Sequence, residues 1–341
     1  MELKNRKIHI QNGYLLKVGI LRRLKRIDQL SSLLRLDPFR LNYHLNKPIY
    51  FTFQIPKKKG DFRKIQSPNE ELKMMQQKLN RYLQAFYFEI KPASVHGFVI
   101  NPLGVESAYG ILSNAKAHIC KKHILNLDIQ DFFSSISAKQ VKTALLKEPF
   151  NFCEESANLI ALLGTYQKKL PTGAATSPVL SNIACYDLDK ELEVFAIGHS
   201  LTYTRYVDDL TFSSNTRLPD EVVTKLRELI SRHGFALNEK KTRLLSNKSK
   251  QTVTGLVVNQ KVNVDRKYIR RLRAMLRSWE ILGVEIAAAK HFNATKLSME
   301  DAQKFVRKLA GQIQFVGLIR GIEDEIYRKF VLAFEHNMSL E

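Results

Sequence analysis

Apolar and polar positions along the chain fall into three regimes. Residues 1–50 follow a helical period and are basic, with Leu30, Leu33, Leu34 and Leu36 on the apolar side, the pattern of helices that bury one stripe. The period then changes to that of a strand from Tyr50 to Ile55, ending at Pro56. A basic turn follows, Lys57-Lys58-Lys59-Gly60-Asp61, and Phe62-Arg63-Lys64-Ile65 returns. This spacing predicts a hairpin with a cationic tip. Glu70 to Phe88 is helical by period, and His123 to Ile129 is an apolar strand carrying Ile124, Leu125, Leu127 and Ile129. Ser137 with Gln140 forms a capping box for a helix through Leu146. Leu201 to Tyr206 and Leu210 to Phe212 flank a short break and read as a second hairpin. Asp220 is placed to cap a helix with Val222, Val223, Leu226, Leu229 and Ile230 on one face, stopped by Gly234 with His233 in its last turn. After Asp265 the pattern is helical almost throughout. Ile269, Leu272 and Leu276 form a core stripe, and Trp279, Phe315, Val316, Leu318 and Ile319 are expected in the same bundle. The order is a helical start, an α+β centre and a helical end.

Composition narrows the class. The 341 residues are 44% hydrophobic, enough for a folded chain of two or three subdomains. Lys and Arg total 54 against 33 Asp and Glu, a net charge of +21. That excess points to a polyanion, nucleic acid first and an anionic membrane surface second. No apolar run reaches the roughly 18 residues of a spanning helix, and the N-terminus lacks a signal-peptide apolar region. The expected location is therefore the cytoplasm, with no membrane partner. Cys120, Cys153 and Cys185 are widely spaced and odd in number, so they are expected as buried reduced thiols.

The chemistry sits in carboxylates. Asp208 and Asp209 occupy the tip of the second hairpin, where a turn can aim both at one place. Asp128 ends an apolar strand, where its side chain can project into a cleft. Three gathered carboxylates repel one another. Hard divalent cations relieve that repulsion, Mg²⁺ above all. Two such ions roughly 3.5–4 Å apart can activate a 3′ hydroxyl and stabilise a leaving pyrophosphate. The competing reading is that Asp208 and Asp209 are ordinary turn residues.

Here the sequence resembles a reverse transcriptase, and the match is colinear. Leu127-Asp128-Ile129-Gln130-Asp131-Phe132-Phe133 resembles the family's first catalytic motif. The resemblance implies a right-hand polymerase with fingers, a palm built on an antiparallel sheet and a helical thumb. It implies metal binding by Asp128, the Ile129 carbonyl, Asp208 and Asp209, with two Mg²⁺ ions and Mn²⁺ as a substitute. Phe133 would exclude a ribose 2′-OH, whereas Phe132 is expected in the core. Leu170-Pro171-Thr172-Gly173-Ala174-Ala175-Thr176-Ser177-Pro178 resembles the second motif. Many members carry Gln where this chain has Thr172, and Gly173 permits close backbone approach to nucleotide and template. Gly234 to Thr242 resembles the next motif, with Lys241 placed to protonate pyrophosphate. By the same resemblance Arg63 and one of Lys57, Lys58 and Lys59 clamp the dNTP triphosphate, for which a planar guanidinium is suited.

Two further strings resemble signatures of retron reverse transcriptases. They are Asn114-Ala115-Lys116-Ala117-His118 and Val253-Thr254-Gly255-Leu256. His118 is expected in a structural role that also touches RNA, and Gly255 in a tight turn. Arg266, Arg270, Arg273 and Arg277 share one helical face, flanked by Lys267 and Arg271, and are expected to meet a phosphate backbone. With Asn114, His118, Val253, Thr254 and Gly255 they form the expected RNA- and DNA-binding set. The expected division is a basic helical extension over 1–44, fingers over 45–120, palm over 121–262 and thumb over 263–341. A retron enzyme, as the resemblance implies, copies its own structured noncoding RNA from a guanosine 2′-OH. The product is branched msDNA, and the system serves in bacterial antiphage defence with an effector protein encoded nearby. No stretch is seen for an RNase H domain, so template removal is expected of a host RNase H. The other readings are a group II intron or diversity-generating reverse transcriptase, or a non-catalytic RNA-binding scaffold on the same fold.

Overall fold

A computed structural model describes residues 13–57, 60, 62–100, 109–294 and 298–340. Helical residues 13–22 (α1) lead into α2 (Ile27–Leu34) and α3 (Pro38–Asn46), followed by β1 (Tyr50–Pro56), β2 (Phe62–Pro68) and α4 (Glu70–Ile90). Then come α5 (Ile111–Lys116), β3 (His123–Asp128), α6 (Phe132–Ser135), α7 (Ala138–Leu146), α8 (Glu154–Gly164), α9 (Ser177–Ala184) and α10 (Tyr186–Gly198). Strands β4 (Thr202–Tyr206) and β5 (Asp209–Ser214) precede α11 (Asp220–Arg232) and β6 (Arg243–Ser246). The chain ends with β7 (Thr252–Val253), β8 (Leu256–Val257), α12 (Arg266–Leu282), α13 (Val284–Phe292), α14 (Met299–Arg320) and α15 (Glu325–Ser339). Two compact units result. The first holds the described residues up to Ala117 and Lys121–Ser246, and the second holds His118–Cys120 and those from Asn247 on.

The first unit is organised by an antiparallel sheet in the order β4-β5-β3-β6. Its central strands are covered on both faces. Ile124, Leu125, Leu127, Leu210 and Phe212 are all buried, and so are Thr211, Ser213 and Ser214 of β5, whose small hydroxyl side chains alternate with its apolar ones. The register places Asp128 directly opposite Asp209 at one end of the sheet. The predicted basic hairpin is β1 paired with β2, from Tyr50↔Pro68 to Pro56↔Phe62. Its tip residues Lys58, Lys59 and Asp61 lie outside the described residues. The capping box at α7 forms as predicted. Gln140 N donates to Ser137 Oγ at 3.2 Å and Ser137 N donates to Gln140 Oε1 at 2.8 Å. Asp220 differs from expectation. The cap position is Pro219, and Asp220 is the first helical residue, where its charge still suits the helix N-terminus. Gly234, at φ 82°, ends α11.

In the second unit, α12 to α15 pack around Leu272, Leu276, Trp279, Phe305, Leu309 and Val316, with Trp279 edge-on to Phe305 and Phe334. Leu318 departs from the expected bundle core and is exposed, because its position on α14 faces away from the buried stripe. Cys185 is buried as expected, whereas Cys120 and Cys153 are exposed free thiols. No described helix is long and apolar enough to cross a membrane.

One partly buried base in the first unit carries a pH signature. His96 is half-buried with Nδ1 2.9 Å from Ser113 Oγ. Burial, helped by nearby Lys91, pushes its pKa down to about 4. The unfolded histidine titrates near ~6.5. Above that value neither state is protonated. As pH falls from there towards 4 only the unfolded chain takes up the proton, so stability drops through this window. Denaturant titrations at pH 7 and pH 4.5 should differ by on the order of 2 kcal/mol more in the wild type than in His96→Gln. Equal differences in the two proteins would refute the assignment.

Candidate active site

Three carboxylates converge where the sheet ends. Asp128 closes β3, Asp209 opens β5 opposite it, and Asp208 lies in the turn between β4 and β5. The chain after β3 is held on both sides. Ile129 N donates to the Asp208 carbonyl at 2.9 Å, Gln130 N to that of Ala236 at 2.8 Å, and Asn238 N to that of Asp128 at 2.7 Å. Each of these bonds lies between segments distant in sequence, and together they fix the path of the loop after β3 without side chains.

The electrostatics are those of surplus negative charge. Burial, then repulsion from Asp128, raises the Asp208 pKa, and Arg63 of the basic hairpin is close enough to oppose the rise. Burial followed by repulsion from Asp208 and Asp128 pushes Asp209 up to about 6. Asp209 keeps solvent contact, which tempers that push. Like charges opposite each other in a sheet are destabilising unless compensated. Lys241 supplies one compensation, its Nζ lying 2.7 and 3.0 Å from the two Asp128 oxygens. Among the described residues no three His, Cys, Asp or Glu side chains form a ready ligand set, and Lys241 takes the Asp128 oxygens. The donors are nonetheless all hard oxygens in a mutually repelling group, the chemistry that suits a divalent cation.

The hairpin meets this region through the loop before α9. Gln66 N donates to the Thr172 carbonyl at 3.1 Å. Gly173 has φ 148°, and a Cβ there would lie 2.7 Å from the Gln66 carbonyl oxygen. The glycine thus permits close approach to strand β2, a contact in addition to the one expected with nucleotide. Arg63 and Lys57 are exposed on the hairpin, Thr172 is half-buried, and Lys58 and Lys59 lie outside the described residues. Phe132 is in the core as expected. Phe133 is half-buried and stacks on Phe98, with ring centroids 6.0 Å apart.

The turn bearing Asp208 is strained. Val207 has φ 64°, a conformation that costs a β-branched residue about 1–3 kcal/mol. Three residues not singled out in the sequence hold it. Arg205 is fully buried with Asp189, which it grips in a fork, Nε to Oδ1 at 2.7 Å and Nη2 to Oδ2 at 2.6 Å. Its Nη1 donates to the Val207 carbonyl at 3.1 Å. Gly97 packs against the same turn, where a Cβ would lie 2.5 Å from Val207 N. An Arg immediately before a Tyr of the β4–β5 hairpin was visible in the sequence, but nothing local marked its partner.

The nucleic-acid set divides by burial. Asn114, in the first unit, and His118 and Val253, in the second, are buried. Their side chains are therefore not presented to a polyanion, which revises the expected contact. Thr254 and Gly255 both have positive φ (47° and 81°) and form the two central residues of the tight β7–β8 turn, with Gly255 exposed. Such a turn needs positive φ at both positions. On α12 the side chains of Arg266, Arg270, Arg273 and Arg277 are all exposed, on a face that borders the buried stripe of Ile269, Leu272 and Leu276. Arg273 and Arg277 also line an open groove of about 490 Å³ with Lys329 and Phe330 of α15.

Comparison with known proteins gives the family. Residues 55–286 match the family described as reverse transcriptase (RNA-dependent DNA polymerase). The chain is similar to the retron Mx162 reverse transcriptase of Myxococcus xanthus, 33% identical over 67% of this chain and 52% of that one. It is also similar to the retron Ec86 reverse transcriptase of Escherichia coli, 34% identical over 63% and 64%. The chain thus spans about half to two thirds of the length of these relatives. Among solved structures it is similar to apo telomerase from Candida tropicalis, with TM-score 0.48 and 13% identity over 84% of this chain and 61% of that one. A family match across more than half the chain, on an α+β right-hand polymerase fold with its motifs in order, means that the chain belongs to the reverse transcriptases.

Proposed function

We propose that this protein is a retron reverse transcriptase, an RNA-directed DNA polymerase that copies a cognate structured noncoding RNA from a 2′-OH primer into branched msDNA. The convergence of Asp128, Asp208 and Asp209 at one end of the sheet carries the reading. The colinear motifs and the similarity to retron enzymes support it. The unit built on β3 to β6 is the palm, the β1–β2 hairpin belongs to the fingers, and the helices from 263 on form the thumb, with a basic extension over 1–44 that is helical in its described part; residues 1–12 lie outside the described residues. Asp128, the Ile129 carbonyl, Asp208 and Asp209 would hold two Mg²⁺ ions, or Mn²⁺ in their place. When bound, these supply charge neutralisation for the attacking hydroxyl and the leaving pyrophosphate. Arg63 and Lys57 hold the dNTP triphosphate, and Thr172 and Gly173 shape the floor beside it. Lys241, paired with Asp128 in this structure, would donate a proton to the leaving pyrophosphate. The protein works in the bacterial cytoplasm in antiphage defence, with a nearby effector protein and a host RNase H that removes template RNA.

The test is to isolate the protein with the nucleic acid it carries and sequence that material. A DNA joined through a guanosine 2′-oxygen to RNA is expected, and recovery of unbranched RNA alone would sink the retron assignment. Phe133 closes the space under the sugar in this reading. Phe133→Ala should therefore relax discrimination against rNTPs by roughly 10- to 200-fold, the scale of an emptied pocket wall. Unchanged dNTP/rNTP ratios would exclude the role. The α12 arginines follow the backbone of the RNA. Arg270→Ala and Arg277→Ala should each reduce the slope of log affinity against log salt by about 1. Slopes equal to wild type would mean that this face is merely solvated.

A further inference from the structure

The buried pair Arg205–Asp189 has no contact with substrate in the reading above, yet its geometry ends on the catalytic turn. Asp189 accepts three hydrogen bonds, two from the Arg205 fork and one from Tyr203 Oη at 2.8 Å. Its carboxylate is thereby occupied, and the guanidinium is fixed in one orientation. The remaining Arg205 bond goes to the carbonyl of Val207, the residue with positive φ directly before Asp208. The Arg205 backbone is held as well, its N–H donating to the Ser94 carbonyl at 2.8 Å and its carbonyl accepting from His96 N at 2.9 Å. Arg205 therefore cannot follow the turn if the turn relaxes. All its anchors lie outside the turn, on α10 and on the 94–96 segment.

We propose that Arg205 and Asp189 are positioning residues for the reaction, a rigid buried bracket that pins the Val207 carbonyl and so keeps the Asp208 and Asp209 carboxylates aimed together. A plain structural ion pair would need no third bond to the turn. Deleting one partner of a buried pair leaves an unpaired charge and destabilises the whole fold, whereas replacing both by apolar groups is often neutral. Stability and positioning can therefore be separated. The inference rests on the reading of Asp208 and Asp209 as catalytic.

The experiment compares four proteins: wild type, Arg205→Lys, the triple variant Arg205→Met with Asp189→Leu and Tyr203→Phe, and that triple variant with Val207→Gly added. For each, Tm is measured together with kcat and KM for dTTP on a poly(rA)·oligo(dT) template-primer with Mg²⁺. The triple variant removes every polar group of the pair and is expected within about 2–4 °C of the wild-type Tm. Its kcat should fall about 10- to 100-fold through misplacement of the reacting groups, with KM for dTTP changed by no more than about twofold. Glycine adopts positive φ without support, so adding Val207→Gly should restore several-fold of the lost kcat. Arg205→Lys keeps the charge but cannot bridge both oxygens of Asp189 and the carbonyl, so it too should lose kcat at near wild-type Tm. Wild-type kcat in either the triple variant or Arg205→Lys at wild-type Tm would overturn the proposal. Should the triple variant fail to fold, Arg205→Lys decides alone. Wild-type protein that makes no DNA on any RNA would overturn the functional reading itself, and the positioning role with it. An active wild type with an unaffected triple variant removes the positioning role only.

Discussion

Replacing Asp208 and Asp209 together by Asn should abolish DNA synthesis while leaving the protein as stable as wild type or more so. In the proposed reading, loss of the two charges removes ligands for the cations that would support hydroxyl activation and pyrophosphate departure. A loss of several kcal/mol of transition-state stabilisation corresponds to at least ~10³-fold in rate. The stability side follows from the same charges. Burial and mutual repulsion raise both pKa values, so the ionised carboxylates are held at a cost in the folded state, and Asn is nearly isosteric without that cost. Primer extension at saturating dNTP, alongside thermal unfolding, checks both halves. Residual synthesis within about tenfold of wild type would show that the carboxylates do not run the reaction. A marked drop in Tm would show instead that they hold the fold.

Gly97→Ala should have the next largest effect, a loss in kcat of about 10²-fold, the scale of a ~1 Å displacement of reacting groups. The added methyl would meet backbone rather than a side chain that can move, with Val207 N at 2.5 Å and the Tyr206 carbonyl carbon at 3.0 Å. The Gly97 segment cannot retreat freely, because its carbonyl accepts a bond from Asn182 Nδ2 at 3.0 Å. The turn must therefore yield, and it carries Asp208. Single-turnover kinetics read the effect directly, and wild-type kcat in the Gly97→Ala enzyme would mean that the turn tolerates the shift.

Much of the site was legible because its signals are local. Alternation and turn chemistry marked both hairpins, and the capping box at Ser137 was visible as two residues three apart. Asp128 was legible as a strand end and Asp208 as a turn residue. Their approach depends on the pairing Asp128↔Asp209, which no local pattern specifies, and only motif order suggested it. What escaped notice is long-range. Arg205 and Asp189 are 16 positions apart on different elements, and Gly97 owes its importance to a backbone contact with Val207, far along the chain. Asn114 and His118 show the opposite case. Both were expected to touch RNA, His118 from a structural role, and both are fully buried; the burial fits the structural role, and a motif's chemistry does not reveal which way it faces. The exposed thiols of Cys120 and Cys153 follow the same lesson, since cysteine's average burial decides nothing for a particular loop.

The three residues His118–Cys120 group with the second unit although the chain on either side of them belongs to the first. The amide of Cys120 donates to the Val258 carbonyl at 3.2 Å, and its Sγ lies 3.2 Å from the carbonyl of Gln260. A protein cut after Ser246 would strip those acceptors from a segment in the middle of the remaining chain, so neither half can be expressed as a clean excision. Splitting this chain into separately produced pieces would therefore require a graft that carries 118–120 along with the helices, and a shortened form is better sought by trimming loops than by deleting the residues after Ser246.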